Sequence, residues 1–395
     1  MTNPDEADLR RRVRDLLDAH PPASTERLEF LQAQYDAGLA WVGFPDGLGG
    51  LGLPRHLQRV VNEELVAAGA PDNNPRKIGI GLGMAAPTVL AYGTDEQKQR
   101  WLRPLWTGDE VWCQLFSEPG AGSDLAALAT RAVLDGDEWV VNGQKVWTSI
   151  AHIARWAILV TRTDPDVPKH RGMTYFVCDM TAPGVEVRPL RQATGEAEFN
   201  EVFLTDVRIP DDQRLGAVGD GWRVATATLM NERVAIGGQS APREGGMLGM
   251  LTSVWRERPE LRTPGLHADM MELWVRAEAT RMAGERLRQQ MAAGQPGPEG
   301  SAAKLMFSDL KQKISGLLLE VLGEEGLSYD DWTMRRPTEL HLAGDRPGYS
   351  FLRAKGNSIE GGTTEILLNI VAERVLGLPG EIRVDKDVPW KELPR

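Results

Sequence analysis

Cysteine is nearly absent: the 395 residues hold Cys113 and Cys178 and no others. Two cysteines exclude a disulfide framework and a cysteine-based zinc site. Histidine is scarce as well, and His152, His170, His267 and His341 are scattered without the spacing of a metal-ligand pair, so they read as surface or loop residues. Nowhere do about 18 apolar residues run together, as a membrane-spanning helix would require. Met1 to Arg14 is charged and lacks the apolar stretch of a secretion signal, so a cytoplasmic protein without membrane insertion is expected. Basic clusters are missing beyond the short N-terminal run, and the net charge is −11, which argues against a nucleic-acid partner. Internal repeats and low-complexity segments are absent too.

What is present is an ordinary globular composition, 42% hydrophobic and 26% charged, in a chain longer than one core sustains. Two or three domains packed together are expected. Residues 1–20 and 24–40 read as helices split by Pro21-Pro22, and Leu53–Ala68 and Asp95–Trp106 continue the helical period, with 78–90 left as a loop. Near Thr130 the rhythm changes. Asp135-Gly136 and Asn142-Gly143 are hairpin signals on either side of Glu138–Val141. Ala157–Thr163, Thr174–Cys178, Val185–Pro189 and Glu198–Leu204 are further short apolar or alternating runs. Helical patterns return from Gly221 to Leu378, the longest over His267–Ala292 and Ser301–Leu322. The fold class is therefore α+β and multidomain, with an N-terminal helical domain over 1–112, a middle β domain over 113–218 and a C-terminal helical bundle over 219–395.

This order bears on a decoy. Gly47-Leu48-Gly49-Gly50-Leu51-Gly52 matches the Gly-x-Gly-x-x-Gly pattern of dinucleotide-binding folds. The apolar run before it is short and follows a helix, and no βαβ unit surrounds it, so a loop between helices is favoured over a nicotinamide site.

Residues 115–149 are the most informative. Leu115-Phe116-Ser117-Glu118-Pro119-Gly120-Ala121-Gly122-Ser123-Asp124 is a polar loop whose glycines let backbone approach a flat or anionic ligand. After one hairpin comes Lys145-Val146-Trp147-Thr148-Ser149, which offers a large aromatic face with a hydroxyl two residues on. That pairing suits a flavin, whose ring stacks and whose edge takes donors. The plainer alternative is a turn and a strand with a packing tryptophan.

With Gly93-Thr94-Asp95-Glu96-Gln97-Lys98 and Glu198-Phe199-Asn200-Glu201-Val202, these segments resemble the acyl-CoA dehydrogenase family, from roughly Asp36 to Leu378. The resemblance implies the family's fold with a β-barrel-like middle domain, FAD as cofactor, an acyl-CoA substrate, and electron-transferring flavoprotein as the electron acceptor. It also implies Ser117 and Ser149 as flavin-edge contacts, Trp147 as the stacking residue, Ser123 for phosphate or substrate contact, and Phe116 and Gly122 as cofactor-loop residues.

Dehydrogenating an acyl-CoA needs a base for a weakly acidic α-hydrogen, and a carboxylate in a dry pocket serves because burial raises its pKa. In many family members this residue precedes a Gly-Thr near the C-terminus. Here the segment reads Ser358-Ile359-Glu360-Gly361-Gly362-Thr363-Thr364-Glu365, which puts Gly361 at that position and Glu360 one residue early, aimed to the other face of an extended approach. The second candidate lies after Gly221. Trp222, Ala225, Leu229, Glu232 and Ile236 are spaced 3, 4, 3 and 4, which puts Glu232 on the apolar stripe facing the core. A lone carboxylate there is costly unless paired or functional. Leu229-Met230-Asn231-Glu232-Arg233 resembles the isovaleryl-CoA dehydrogenase branch, whose base sits on this helix before an arginine. Glu232 is the expected base and Arg233 an expected substrate contact; the alternative is a salt-bridged helix residue. By the same resemblance the Gly361 backbone N–H donates to the thioester oxygen, and Thr363 and Glu365, at a glycine-led helix start, contact FAD.

Two further segments depart from the family. Its Arg-x-x-Phe-Gly is at best degenerate around Arg258, and its Gln-x-x-Gly-Gly-x-Gly is altered to Glu320-Val321-Leu322-Gly323-Glu324-Glu325-Gly326. Such losses resemble the family members built from two unlike subunits that act in bacterial breakdown of steroid side chains. The expected assembly is thus a homo-oligomer or a heterotetramer with a second such chain. The rival readings are an oxygen-using oxidase of the same fold and a silent partner subunit. Met247, Met250, Met270 and Met271 are expected in the core or the acyl pocket wall.

Overall fold

The first helices fold because their apolar residues recur at helical spacing. Helix α1 (Pro4–Ala19) lays Leu9, Val13 and Leu16 against Phe30 of α2 (Arg27–Asp36) and Val60 and Val61 of α3 (Gln58–Ala67). The computed structural model describes residues 4–237, 242, 244–292, 298–329, 331–340, 346–382 and 384–394, without the side chains of 233–237 and 291–292. The Gly47–Gly52 segment is a loop between α2 and α3, as expected.

Where a loop was expected over 78–90, the chain is helical. Helix α4 (Pro75–Ile80), a π-helical turn (Gly81–Ala85) and α5 (Ala86–Tyr92) run on without a break. Asn74 caps the start by accepting from the Lys77 N–H, and Pro75 opens the first turn. Gly79, Gly81 and Gly83 depress local helix propensity, so the signal fails in the sequence. Burial of Ile78, Met84, Ala85 and Val89 in the main core holds the helix in place. Helix α6 (Asp95–Thr107) begins with a capping box between Thr94 and Gln97.

The middle of the chain forms one seven-stranded sheet. Its strands are β1 (Trp112–Leu115), β2 (Arg131–Asp135), β3 (Glu138–Ser149), β4 (Trp156–Arg162), β5 (Met173–Asp179), β6 (Val185–Pro189) and β7 (Phe199–Pro210). They lie in the order β1-β4-β2-β3-β7-β6, with β5 on β4. One face packs on the helices, where Trp101 of α6 meets Trp112 and Trp156 at centroid distances of 5.9 and 6.1 Å. The other face closes its own core around Trp139 and Phe176. Both cysteines are buried there, and burial pushes their thiols up.

Asp135-Gly136 does turn β2 into β3, but Asn142-Gly143 does not make a hairpin. It lies inside β3, where the register with β7 slips between Val141 and Gly143. Asn142 is spent across the ladder instead, exchanging bonds with Asp206 at 2.9 and 3.0 Å. A bulge uses the same residue types as a turn.

Beyond the sheet come α7 (Gly221–Gly237), α8 (Gly246–Glu257), α9 (Pro264–Ala292), α10 (Glu299–Leu322), α11 (Pro347–Gly356) and α12 (Thr364–Ile370). Gly221 starts α7 against the sheet so closely that a Cβ would sit 2.6 Å from the Thr174 nitrogen. Met270 is buried beside α10, Met247 and Met250 pack on that cluster, and Met271, expected inside, is exposed, because it follows Met270 by one position and turns to the outer face of α9. The chain then returns to the sheet. Trp390 donates from Nε1 to the Ala127 carbonyl at 3.1 Å and lies under Arg162, while Asp385 meets Lys169 at 2.6 Å.

Candidate active site

Three features of the chain converge on one cavity. The first is the polar loop after β1, folded back on itself by paired Glu118 and Ala121 backbone bonds of 3.0 Å. Its anchor is buried. The Glu118 carboxylate accepts from the Ala129 and Thr130 N–H groups at 2.7 and 2.9 Å and pairs with Lys145 Nζ at 2.9 Å. Burial alone would raise the Glu118 pKa, but Lys145 and these donors hold it below the usual carboxylate range. Burial pushes the Lys145 amine down, and Glu118 offsets part of that.

The second feature is the end of β3. The register slips again between Lys145 and Thr148, and Trp147 adopts a left-handed backbone at φ +60°. A bulky residue in that conformation is an outlier whose cost the surroundings must sustain. The bulge breaks the alternation of β3 between the buried Lys145 and Thr148, and leaves Trp147 59% exposed at the cavity wall. Its ring meets Phe199 edge to face at a 5.8 Å centroid distance.

The third feature is the turn between α11 and α12. Gly361 and Gly362 take φ values of +64° and +94°, which favour glycine. The loop's backbone bonds close on the Gly356 carbonyl from Ile359 and Glu360 and resume at Thr364; among the described residues none is donated by Gly361, Gly362 or Thr363. The Thr363 hydroxyl caps α12 by accepting from the Ile366 N–H. From below, the fully buried Lys304 of α10 donates to the Asn357 and Gly362 carbonyls at 2.6 and 2.8 Å.

The cavity between these features has a volume of about 2780 Å³, beyond the range of about 300–1,000 Å³ usual for a small-ligand pocket. Phe116, Ser117, Gly122, Ser123, Trp147, Ser149, Glu232, Gly361 and Thr363, all expected site residues, line it. Glu365 does not: it stands exposed on the first turn of α12. The Arg233 and Ile236 side chains lie outside the described residues.

Glu232 is half-buried, and the stripe that carries it faces the cavity rather than a packed core. Trp222, Leu229 and Glu232 form that wall, while the fully buried line of α7 runs through Val224, Ala225 and Thr228. Thr228 ties the helix down, with its hydroxyl 2.8 Å from that of Thr88 and 3.1 Å from that of Tyr175. Glu360 differs. The approach to Gly361 is a turn rather than an extended segment, and the Glu360 carboxylate meets the Arg353 guanidinium in two bonds of 3.1 Å and accepts from Asn357 Nδ2. Burial opposes charge on Arg353, yet Glu360 and Glu198 hold its pKa above the ordinary value.

Three residues of this site escaped the sequence reading: Lys304, Lys311 and Arg353. Each sits on a helical pattern as a polar interruption, and their partners come from distant segments. Lys311 lines the cavity, where burial and Arg353 push its amine down to about 8 against the pull of Glu360. Of the histidines, His170 packs on Trp222 at 4.8 Å, His267 stacks on Trp255 at 5.7 Å and His152 meets Asn200, while His341 lies outside the described residues.

Family models for the acyl-CoA dehydrogenase N-terminal, middle and C-terminal domains match residues 3–109, 113–207 and 219–376. The chain belongs to the acyl-CoA dehydrogenase family. It is an oxidoreductase of lipid metabolism, with the α+β fold expected of that family. It is 39% identical to the acyl-CoA dehydrogenase IpdE1 of Mycobacterium tuberculosis, over 91% of this chain and 90% of that protein. It is 42% identical to the acyl-CoA dehydrogenase FadE34 of the same organism, over 82% of this chain, and the match spans only 42% of FadE34. Among solved structures, the Tcur3481–Tcur3483 steroid ACAD superposes with a TM-score of 0.72 at 27% identity, covering 96% of this chain and 99% of that one. No helix among the described residues is long and apolar enough to cross a membrane.

Proposed function

We propose that this chain binds FAD and dehydrogenates an acyl-CoA thioester to the trans-2-enoyl-CoA, with Glu232 as the base. The observation that carries the reading is the shared wall: Glu232, Trp147 and the Gly361 turn line one cavity. Glu360 lines it too and pairs with Arg353; Glu232 is preferred for its place on α7 before an arginine, where the isovaleryl-CoA dehydrogenase branch carries its base.

The residues present fit a flavin dinucleotide. Trp147 presents an open indole, and a Cβ on Gly120 or Gly122 would meet nothing within 4 Å, so the loop leaves room for a ligand against its backbone. Ser117, Ser149, Phe116, Ser123 and Thr363 line the cavity; Ser117 and Ser149 would serve as edge donors, and Ser123 and Thr363 would contact phosphate. Bound FAD would supply the acceptor for the β-hydride. Glu232 would take the α-proton, and the Gly361 N–H would donate to the thioester oxygen as enolate charge develops there. Glu365 and Arg233 are the less supported members of this set: Glu365 would need a ligand reaching past the cavity rim, and Arg233 would act on the CoA portion.

Similarity to a steroid ACAD supports an acyl group from steroid breakdown, and the family supports electron-transferring flavoprotein as the acceptor. A second, unlike subunit is favoured by the fate of Arg258. It is bonded to Glu325 in two bonds of 3.0 Å, so the degenerate arginine and the altered glycine motif satisfy each other instead of presenting a phosphate site to a neighbour.

The test is a visible absorption spectrum of the purified chain, alone and with a co-expressed family partner. A two-banded flavin spectrum that bleaches anaerobically on adding acyl-CoA supports the reading. Flavin that never bleaches with any acyl-CoA overturns it, and oxygen consumption on adding substrate would mark an oxidase.

A further inference from the structure

Arg353 stands between the two walls of the cavity. It belongs to α11 and is 7% exposed. Its two terminal nitrogens meet the Glu360 carboxylate at 3.1 Å each, and its Nε lies 3.5 Å from Glu198, a fully buried residue just ahead of β7. Its guanidinium carbon is 5.9 Å from the centroid of Phe199, whose ring meets Trp147 edge to face. One side chain thus touches the residue before Gly361 and, through Phe199, the residue that presents the exposed indole. The Glu198 segment is itself tied to β3, since the Ile150 N–H donates to the Glu198 carbonyl at 2.7 Å.

We propose that Arg353 is a positioning residue: by gripping Glu360 and Glu198 together it fixes the Gly361–Gly362 turn at a set distance from Trp147. The turn needs such a grip. Its two glycines carry positive φ and no side chains, and glycine loses the most conformational freedom on ordering. Lys304 holds the carbonyls of Asn357 and Gly362, on either side of Gly361, and Arg353 holds the carboxylate of Glu360 between them. The planar fork of arginine, matched to a carboxylate at two points, fixes direction as well as distance. An amide donor displaced by about 1 Å loses most of its effect on developing charge. Glu360 thereby acquires a role that is not the base: its carboxylate is a strut.

The inference rests on the proposed function for its consequence in turnover, but not for the geometry. The test therefore uses two readouts on the full-length protein, in whichever assembly retains flavin. The first is amide hydrogen exchange of a peptide covering 357–364. Arg353→Lys keeps the charge and loses the fork, and exchange in this peptide should rise at least tenfold while peptides from α7 and the sheet stay unchanged. Glu360→Gln, which keeps volume and one acceptor, should raise it in the same peptide by a smaller factor. The second is anaerobic flavin bleaching by an acyl-CoA. The limiting rate should fall at least tenfold in Arg353→Lys, with the apparent dissociation constant for acyl-CoA within threefold of the parent. Unchanged exchange in both variants overturns the proposal whatever the enzyme does. If the parent protein never bleaches, the dehydrogenase reading falls while the exchange data still decide the positioning role. If Arg353→Lys is insoluble, Glu360→Gln decides alone: raised exchange confined to 357–364 supports the proposal, and parental exchange ends it.

Discussion

Glu118 and Lys145 form an ion pair of 2.9 Å with the lysine wholly buried, two residues before the strand bulges to release Trp147. The pair locks the loop after β1 to β3. Removing one partner strands a charge in the interior, so Lys145→Met should cost about 3–5 kcal/mol. Urea unfolding of Lys145→Met, of Glu118→Gln and of the double variant checks this. The double variant should recover part of the loss, and strict additivity would mean that the two charges do not act on each other.

Glu232→Gln separates the proposed base from its rival. The amide keeps the volume and removes proton acceptance, and general base catalysis is worth about 10²–10⁴-fold. Flavin content should match the parent, while bleaching by acyl-CoA slows by at least about 100-fold. Glu360→Gln should slow it far less. Unchanged bleaching in Glu232→Gln would sink the assignment, and a large loss confined to Glu360→Gln would move the base to Glu360.

Thr228 sits where α7, α5 and the sheet meet, sharing its hydroxyl with Thr88 and Tyr175. Burial pushes the Tyr175 phenol well up, so it remains a neutral donor. Thr228→Val removes one of the two hydroxyls that meet that phenol and leaves it Thr88, at a cost of about 1 kcal/mol. Thermal unfolding checks the stability loss. Because Glu232 lies one helical turn on, bleaching should slow as well, and Thr228→Ser should restore it.

Lys311 predicts a pH dependence. Its amine titrates at about 8 in the folded chain, against an ordinary value of 10.5. Between those values the unfolded chain binds more protons than the folded one, so this residue's contribution makes stability rise with pH. Below about 8 the buried charge is present in the native state at its full cost. Lys311→Met should therefore be more stable than the parent at pH 7, and the advantage should shrink between pH 8 and 10.5. A constant difference across that range would show that the amine is already solvated.

The elements most legible in the sequence were those whose own side chains carry the pattern. Helix α9 announces itself over His267–Ala292 by period; the stripe that carries Glu232 was legible as a stripe, but its facing the cavity and not the core was not. The helix over 75–92 stayed hidden because three glycines break the local preference and its stability comes from packing on β1 and α7. Asn142-Gly143 misled for the opposite reason: a bulge needs the same residues as a turn, and only the partner strand tells them apart. Arg353 could not be read at all. Its partners, Glu198 and Glu360, lie on opposite sides of it in sequence, and only the fold brings them to one point.

Trp390 reaches across 263 positions to the Ala127 carbonyl, and Asp385 shares Lys169 with Asp124 of the polar loop. The loop that carries Ser123 is thus braced by a segment far along the chain. Closing so long a stretch is an entropic penalty that a growing chain can meet only after residue 390 has emerged. The sheet and the helices before residue 385 can assemble earlier during translation, and this corner of the cavity closes after them. A product shortened before residue 385 would keep its architecture and lack the brace, so its loss would register first in cofactor retention and only afterwards in melting temperature.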